Sequence, residues 1–148
     1  MTFWEILNNR VLWAVLVSGV STQLMKAGSS LIREKRLNWR RTLEAGGMPS
    51  SHSASSVTLA LLVGLRSGFD SVTFAVCLYI TLVVMYDAAG VRQAVGRQAI
   101  ILNRILETRA LKKRSGGEQM RELLGHTPTE VIVGALIGLA WALLFHYA

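Results

Sequence analysis

Hydrophobic residues fall into four blocks along the chain, and polar or charged stretches separate the blocks. A helix needs about 17–25 residues to span the hydrocarbon core of a bilayer. Three blocks meet that length, the first of them only with its extension, and the second block does so only if its helix starts near Ser50. The blocks are Val11–Met25 (extended back to Phe3 if residues 8–10 lie at the interface), Ala54–Leu65, Val72–Val91 and Val131–Ala148. The pattern predicts an all-α integral membrane bundle of about four helices, in one membrane domain spanning residues 1–148.

The polar turn "RSGFDS", residues 66–71, is short enough to join the second and third blocks as a helical hairpin. The hairpin places residues 26–53 and 92–128 on one side of the membrane, which we call side A. Beyond the third block, a hydrophobic stripe recurs at spacings of three and four, and Arg97 and Arg104 lie off it. The stripe comprises Val91, Val95, Ala99, Leu102 and Leu106. It predicts a basic amphipathic helix from Arg92 to Arg114 along the membrane surface, followed by a glycine-containing loop.

Charge orients this arrangement. Lys and Arg number 16 against 9 Asp and Glu, giving a formal net charge of +7 in a chain that is 51% hydrophobic. All of the Lys and Arg residues except Arg10 and Arg66 fall on side A, which is therefore predicted to face the cytoplasm. Since membrane orientation accounts for the basic charge, no nucleic-acid partner is predicted. A cleavable signal sequence is an alternative for the first block, although no small-x-small cleavage site follows it.

Two of the three histidines, His52 and His126, lie on side A at the start of a predicted membrane helix. Helix N-termini present backbone N–H groups and the positive end of the helix dipole, which attract phosphate-like anions. In "GGMPSSH", the glycine pair ending at Gly47 lets N–H groups converge on an anion, and Ser50 and Ser51 add hydroxyl donors. A histidine beside a bound phosphate can attack phosphorus or protonate a leaving oxygen. The pair of histidines predicts a phosphate site.

Both histidine segments can also be interpreted as ordinary helix starts. Pro49 can occupy a first helical position with Ser50 or Ser51 as its cap, and "HTPTE" (126–130) offers a threonine cap, a proline and Glu130 in the first turn. Asp87 is an ionisable residue late in an apolar helix, where such residues are usually functional or paired, and pairing with an arginine for folding alone is the alternative. A metal site from Asp87, Glu130 and a histidine has no supporting ligand spacing, so no metal or cofactor is predicted.

Three segments together resemble the divergent membrane branch of the type 2 phosphatidic acid phosphatase superfamily, which also includes vanadium-dependent haloperoxidases. The segments are "GGMPSSHSAS", "YDAAGVRQAVGRQAIILNRIL" and "LLGHTPTEVIVGALIG", and they cover most of residues 46–138. "PSSH" (49–52) matches the PSGH motif with Ser51 in place of glycine. "HTPTE" matches HxxxD with Glu130 in place of aspartate. "KAGSSLIR" (26–33) has the spacing of the KxxxxxxRP motif, with Glu34 in place of proline.

The resemblance implies that His126 is a nucleophile forming a phosphohistidine, that Glu130 orients it, and that His52 is the general acid for the leaving group. It further implies that phosphate oxygens are held by Lys26, Arg33 and the backbone around Ser51.

The third motif of the superfamily departs most from this chain. Its arginine should lie six residues before His126, where the chain has Met120, and Arg121 is one position away. Another cation can substitute for it, and the candidates are Arg40, Arg41, Arg92 and Arg97.

These observations favour an integral membrane phosphatase or phosphotransferase that acts on a phosphorylated lipid through a histidine nucleophile at the cytoplasmic interface. The alternative is a non-catalytic membrane protein that binds or carries an anionic lipid or phosphate with the same cationic face. A third interpretation is a small helical partner subunit. The predicted partner is a membrane lipid or lipid phosphate, and four short helices bury little enough area to be compatible with a homodimer.

Overall fold

The computed structural model describes residues 3–34, 47–106 and 125–148, without the side chains of Phe3, residues 30–34, Arg92 and Leu106. Every regular element in these ranges is a helix, which confirms the predicted all-α class. The helices are α1 (Phe3–Leu7), α2 (Arg10–Glu34), α3 (Ser51–Ser67), α4 (Val72–Ala89), α5 (Val91–Leu106) and α6 (Pro128–Tyr147).

The first hydrophobic block, Val11–Met25, lies within α2, and its possible extension back to Phe3 forms a separate helix, α1. The side-chain oxygen of Asn9 accepts a hydrogen bond from the backbone N–H of Leu12 at 3.1 Å, as an N-cap does. Because this bond satisfies one of the N–H groups at a helix start, the chain breaks at residues 8–9 and α2 begins anew. At its other end α2 continues beyond the predicted limit at Met25 and ends at Glu34.

Helix α3 lies at the centre of the bundle and packs against α2, α4 and α6. The Ser50 N–H donates to the Glu130 carbonyl at one end of the α3–α6 pair, and the Thr58 hydroxyl donates to the Gly138 carbonyl further along both helices. These two helices therefore run parallel. A four-residue turn, 68–71, joins α3 to α4 and confirms the predicted hairpin.

Three stretches within the described ranges are helical, long and apolar enough to cross a membrane: Arg10–Ser29, Val72–Ile105 and Pro128–Tyr147. Helix α3 has 17 residues, which gives it a length of about 26 Å, slightly less than the hydrocarbon core. It begins at Ser51, close to the start that a membrane helix in the second block required. Because the other three helices pack around it, α3 is the helix that depends least on contact with lipid.

Small residues bring α6 into backbone contact with α3. A Cβ added at Gly134 would clash with the Ser50 carbonyl oxygen, and one added at Gly138 would clash with a carbonyl one turn further along α3. At the same level, the Thr58 hydroxyl lies 2.9 Å from Ser18 Oγ and 3.0 Å from the Gly138 carbonyl. Glycine contacts and hydroxyl hydrogen bonds of this kind hold helices together where lipid leaves little hydrophobic driving force.

A helix is present as α5 where the amphipathic helix was predicted. It begins at Val91 and is described to Leu106, so the predicted continuation to Arg114 and the following loop lie outside the described residues. Arg97 and Arg104 are exposed and lie off the hydrophobic stripe, as predicted. Within the stripe, Ala99 near the middle of the helix is buried, and Val91, Val95 and Leu102 on either side of it are exposed.

Candidate active site

The first turn of α6 is built around one carboxylate. Thr127 is the N-cap, and its hydroxyl accepts a hydrogen bond from the Glu130 N–H at 3.3 Å. The Glu130 Oε2 atom in turn accepts from the Thr127 N–H at 3.2 Å, which completes a capping box. Pro128 occupies the first helical position. The helix start predicted for "HTPTE" is thus confirmed, and it fixes the position of the Glu130 side chain.

The same Oε2 atom lies 3.1 Å from Nδ1 of His126. The backbone N–H of His126 donates to the Ala88 carbonyl at 3.0 Å, at the end of α4, and the residue is 2% exposed. With Nδ1 donating to the carboxylate, Nε2 retains the lone pair that a nucleophile needs. Asp87 precedes Ala88, so this partly buried acid lies at the same end of the bundle.

His52 lies beside His126, although 74 residues separate them in sequence. The ring centroids are 6.2 Å apart, with an interplanar angle of 65°. His52 is exposed in the first turn of α3, whereas His126 is buried. The prediction that the two histidines meet on one side of the bundle is confirmed. A buried, oriented imidazole next to an exposed one can supply a nucleophile and a proton donor respectively.

Ser50 is the N-cap of α3, and Pro49 precedes the cap. The interpretation of Pro49 as the first helical residue is therefore wrong. The reason is that two hydrogen bonds fix Ser50 as the N-cap. Its Oγ accepts from the Ser53 N–H at 3.3 Å, and its N–H donates to the Glu130 carbonyl at 3.1 Å. Ser51 is then the first helical residue, and its N–H is one of those that helix geometry leaves without an intrahelical partner.

Lys26 meets the loop that precedes α3. The residue is 8% exposed, and a Cβ added at Gly47 would lie 2.9 Å from Lys26 Cε. Gly47 has a φ of +82°, a conformation that glycine adopts without strain. The Ser29 hydroxyl, one turn beyond Lys26, lies 3.4 Å from the Met48 carbonyl. The lysine of the first motif and the loop of the second are thus in contact.

The structure describes only the backbone, or nothing, of the other cations predicted to hold phosphate. Arg33 lies seven residues after Lys26 in α2 and therefore on the same helix face. The structure does not describe the side chain of Arg33. The side chain of Arg92 is not described either, although its backbone belongs to the first turn of α5. Arg40 and Arg121 lie outside the described residues altogether. Within the described ranges, no three His, Cys, Asp or Glu side chains are grouped so that they could hold a metal ion.

Two contributions to the site do not follow from the motifs in the sequence. One is the Ala88 carbonyl, which holds the backbone of His126. A backbone carbonyl has no signature in the sequence, because every residue carries one. The other is Ser29, and its spacing of one helical turn from Lys26 was the signal that could have pointed to it.

Comparison with known proteins places this site in a family. The sequence profile of the Divergent PAP2 family, where PAP2 denotes type 2 phosphatidic acid phosphatase, matches residues 7–141. The chain belongs to this family. The match includes His52, His126 and Glu130 and confirms the resemblance seen in the motifs.

As a member of the Divergent PAP2 family, the chain is a membrane protein, and its family is related to phosphatases. A relative from Bacillus subtilis (strain 168), described as uncharacterized membrane protein YuiD, is 35% identical over 154 aligned positions. The alignment covers 97% of this chain and 98% of the relative. No solved structure gives a significant match.

Proposed function

We propose that this protein is a membrane phosphatase or phosphotransferase that acts on a phosphorylated lipid, with His126 as its nucleophile. The observation that carries the proposal is the environment of His126. Its ring is buried, its Nδ1 lies 3.1 Å from Glu130 Oε2, and its centroid lies 6.2 Å from that of His52. Membership of the Divergent PAP2 family supports the same class of chemistry.

In the first step, Nε2 of His126 attacks phosphorus and the bond from phosphorus to the ester oxygen breaks. His52 gives a proton to that oxygen, which leaves as an alcohol. Glu130 stabilises the positive charge that develops on the imidazole as the new N–P bond forms. In the second step, water attacks the phosphohistidine and gives its proton to His52, and phosphate leaves. An alcohol in place of water makes the reaction a phosphotransfer.

Charge on the phosphoryl oxygens is stabilised by groups at the same end of the bundle. Lys26 contacts the loop before α3, and the Ser51 N–H lies at the start of that helix. Positioned cations and N–H groups supply much of the catalysis in phosphoryl transfer. The site lies where α3 and α6 begin, so a lipid headgroup reaches it while the acyl chains stay in the bilayer.

The cytoplasmic placement of the site is part of this proposal, and the cations on side A support it. Thr129 is exposed beside the site, so a Thr129→Cys variant in a Cys77→Ala background reports its orientation. A membrane-impermeant maleimide should label that cysteine in inside-out vesicles and leave it unlabelled in intact cells. Labelling in intact cells would contradict the placement.

A leaving-group comparison tests the chemistry. The purified protein should release phosphate from a panel of lipid phosphates. His52→Asn should lower the rate about 10²–10⁴-fold for an alkyl phosphate, whose leaving oxygen needs a proton, and much less for an aryl phosphate. His126→Asn should abolish release from both. His146→Asn is the matched control, because His146 is exposed near the opposite end of α6.

Two results would contradict the proposal. Equal losses for both substrates in His52→Asn would remove the general-acid role. Tight vanadate binding without phosphate release from any lipid would instead favour a non-catalytic protein that binds or carries anionic lipid. The sequence observation behind that second function is Met120, which stands where the superfamily has an arginine.

A further inference from the structure

Helix α5 has three different sides. The side that is buried contains small or polar residues, namely Gly96, Ala99 and Asn103. A second side is cationic and comprises the exposed Arg97 and Arg104 together with the partly buried Gln93. The third side is exposed and mainly aliphatic, and comprises Val91, Val95, Ile101, Leu102 and Ile105, with the exposed Gln98 among them. We call this last set the aliphatic side.

The aliphatic side is not needed for crossing the membrane. Helix α4 has 18 residues, which gives about 27 Å and nearly fills the hydrocarbon core alone. Helix α5 follows it directly after Gly90. Its first residues therefore lie close to the membrane boundary, on the same side as His52 and His126.

Exposed hydrophobic residues occur on both sides of the junction between α4 and α5. Tyr79, Val83 and Tyr86 of α4 are 69%, 49% and 77% exposed, and Val91 and Val95 of α5 are 53% and 57% exposed. Because α4 crosses the membrane, lipid covers its exposed surface, and α5 begins at the boundary of the same lipid. A helix with such a side and a separate cationic side is typical of one that lies within the interface.

Charge identifies the leaflet. The sequence of α5 contains three arginines and neither Asp nor Glu. Arg97 and Arg104 are seven residues apart and so share one helix face. Arg97 is held in position by a hydrogen bond from Nη2 to Gln93 Oε1 at 2.9 Å. Two cations on one face, beside an aliphatic surface, fit the phosphate groups of anionic lipids.

We infer that α5 docks on an anionic leaflet, with its aliphatic side among the acyl chains and Arg97 and Arg104 on lipid phosphate groups. This docking also supports the candidate active site. The Ala88 carbonyl, which accepts the His126 N–H, lies three residues before Val91. Holding α5 at the headgroups therefore holds the part of the backbone that positions His126. The docking itself does not depend on whether the site is catalytic.

The test uses the full chain in vesicles of equal parts phosphatidylcholine and phosphatidylglycerol. A Leu102→Cys variant in a Cys77→Ala background carries a fluorophore on the aliphatic side. Each lipid is brominated in a separate preparation, so that quenching of the fluorophore reports which lipid surrounds the helix. Brominated phosphatidylglycerol should quench more strongly than brominated phosphatidylcholine.

Changing Arg97→Gln and Arg104→Gln should lower the relative affinity for the anionic lipid by about fivefold for each arginine removed. Arg66→Gln is the matched control, because Arg66 is an exposed cation near the end of α3, and it should leave the preference unchanged. Equal quenching by the two lipids would overturn the anionic preference. Absence of quenching by either lipid would show that protein, such as a second copy of the chain, covers the aliphatic side.

Discussion

Replacing Gly134 by alanine tests how closely the candidate active site depends on the contact between α3 and α6. The added Cβ would clash with the Ser50 carbonyl oxygen and would lie 3.1 Å from the Ser50 carbonyl carbon. Both are backbone atoms, so no change of rotamer relieves the contact. The helices must separate at the level where the Ser50 N–H bonds the Glu130 carbonyl. That bond connects the segments that carry His52 and His126.

The magnitude follows from three terms. Overpacking at a close contact costs about 1–3 kcal/mol, and losing the Ser50–Glu130 hydrogen bond costs about 1 kcal/mol more. Alanine recovers about 1 kcal/mol through its better helix propensity. The net loss in free energy of unfolding should therefore be about 1–3 kcal/mol. Vanadate affinity should fall as well, because His52 lies in α3 and His126 lies directly before α6, so separating the two helices moves the histidines apart.

The assay is unfolding in mixed micelles, followed by circular dichroism, together with vanadate binding. Gly28→Ala is the matched control, since no atom of the described part of the chain lies within 4 Å of a Cβ at that position of α2. Gly138→Ala should lower the free energy of unfolding by a similar amount, because its added Cβ also clashes with a carbonyl oxygen of α3. It should disturb vanadate binding less, because Gly138 lies about two helical turns beyond Glu130. If Gly134→Ala unfolds like the wild type, the packing of α3 against α6 described above is wrong.

Three further predictions concern single side chains. Thr58→Val should lower the free energy of unfolding by about 1–3 kcal/mol because it leaves buried hydrogen-bonding groups unpaired, whereas Thr58→Ser should retain most of the stability in the same micelle assay. Gly47→Ala should weaken vanadate binding by displacing Lys26. Gly68→Ala is its control, because Gly68 also has a positive φ (+90°) but lies in the turn between α3 and α4, and it should leave vanadate binding unchanged. Equal effects of the two substitutions on vanadate binding would refute a specific role for Gly47. Glu130→Gln should preserve folding, because glutamine also completes a capping box, but should reduce phosphate release, and unchanged release would exclude the proposed stabilisation of imidazolium charge.

Much of the bundle could be predicted because hydrophobic block length and turn chemistry act locally. The short turn at residues 66–71 was sufficient to predict a hairpin, and the hairpin was sufficient to place His52 and His126 on one side. The capping box at Thr127 and Glu130 could be predicted for the same reason, since its bonds span only four residues. The cap at Asn9 separates the first block from its possible extension to Phe3, because that side chain satisfies a helix start that the hydrophobic pattern does not register.

The parts that could not be predicted depend on contacts between distant segments. Pro49 looked like a first helical residue, but Ser50 is bonded to the backbone of Glu130, and that bond decides where α3 begins. Nothing in the sequence near His126 indicates that the Ala88 carbonyl accepts its N–H. The close approach at Gly134 likewise depends on which helix lies opposite. Sequence motifs thus indicated which residues belong to the candidate site, and packing determined its geometry.

The measurement that tests the central claim most directly is trapping of the phosphoenzyme. The purified protein is mixed with a radiolabelled lipid phosphate, quenched under alkaline conditions that preserve phosphohistidine, and analysed by peptide mapping. A phosphoryl group on the peptide containing His126, absent in His126→Asn, is the predicted result. Phosphate release from the lipid with label on any other residue, or with unchanged release in His126→Asn, would contradict the assignment of His126 as the nucleophile.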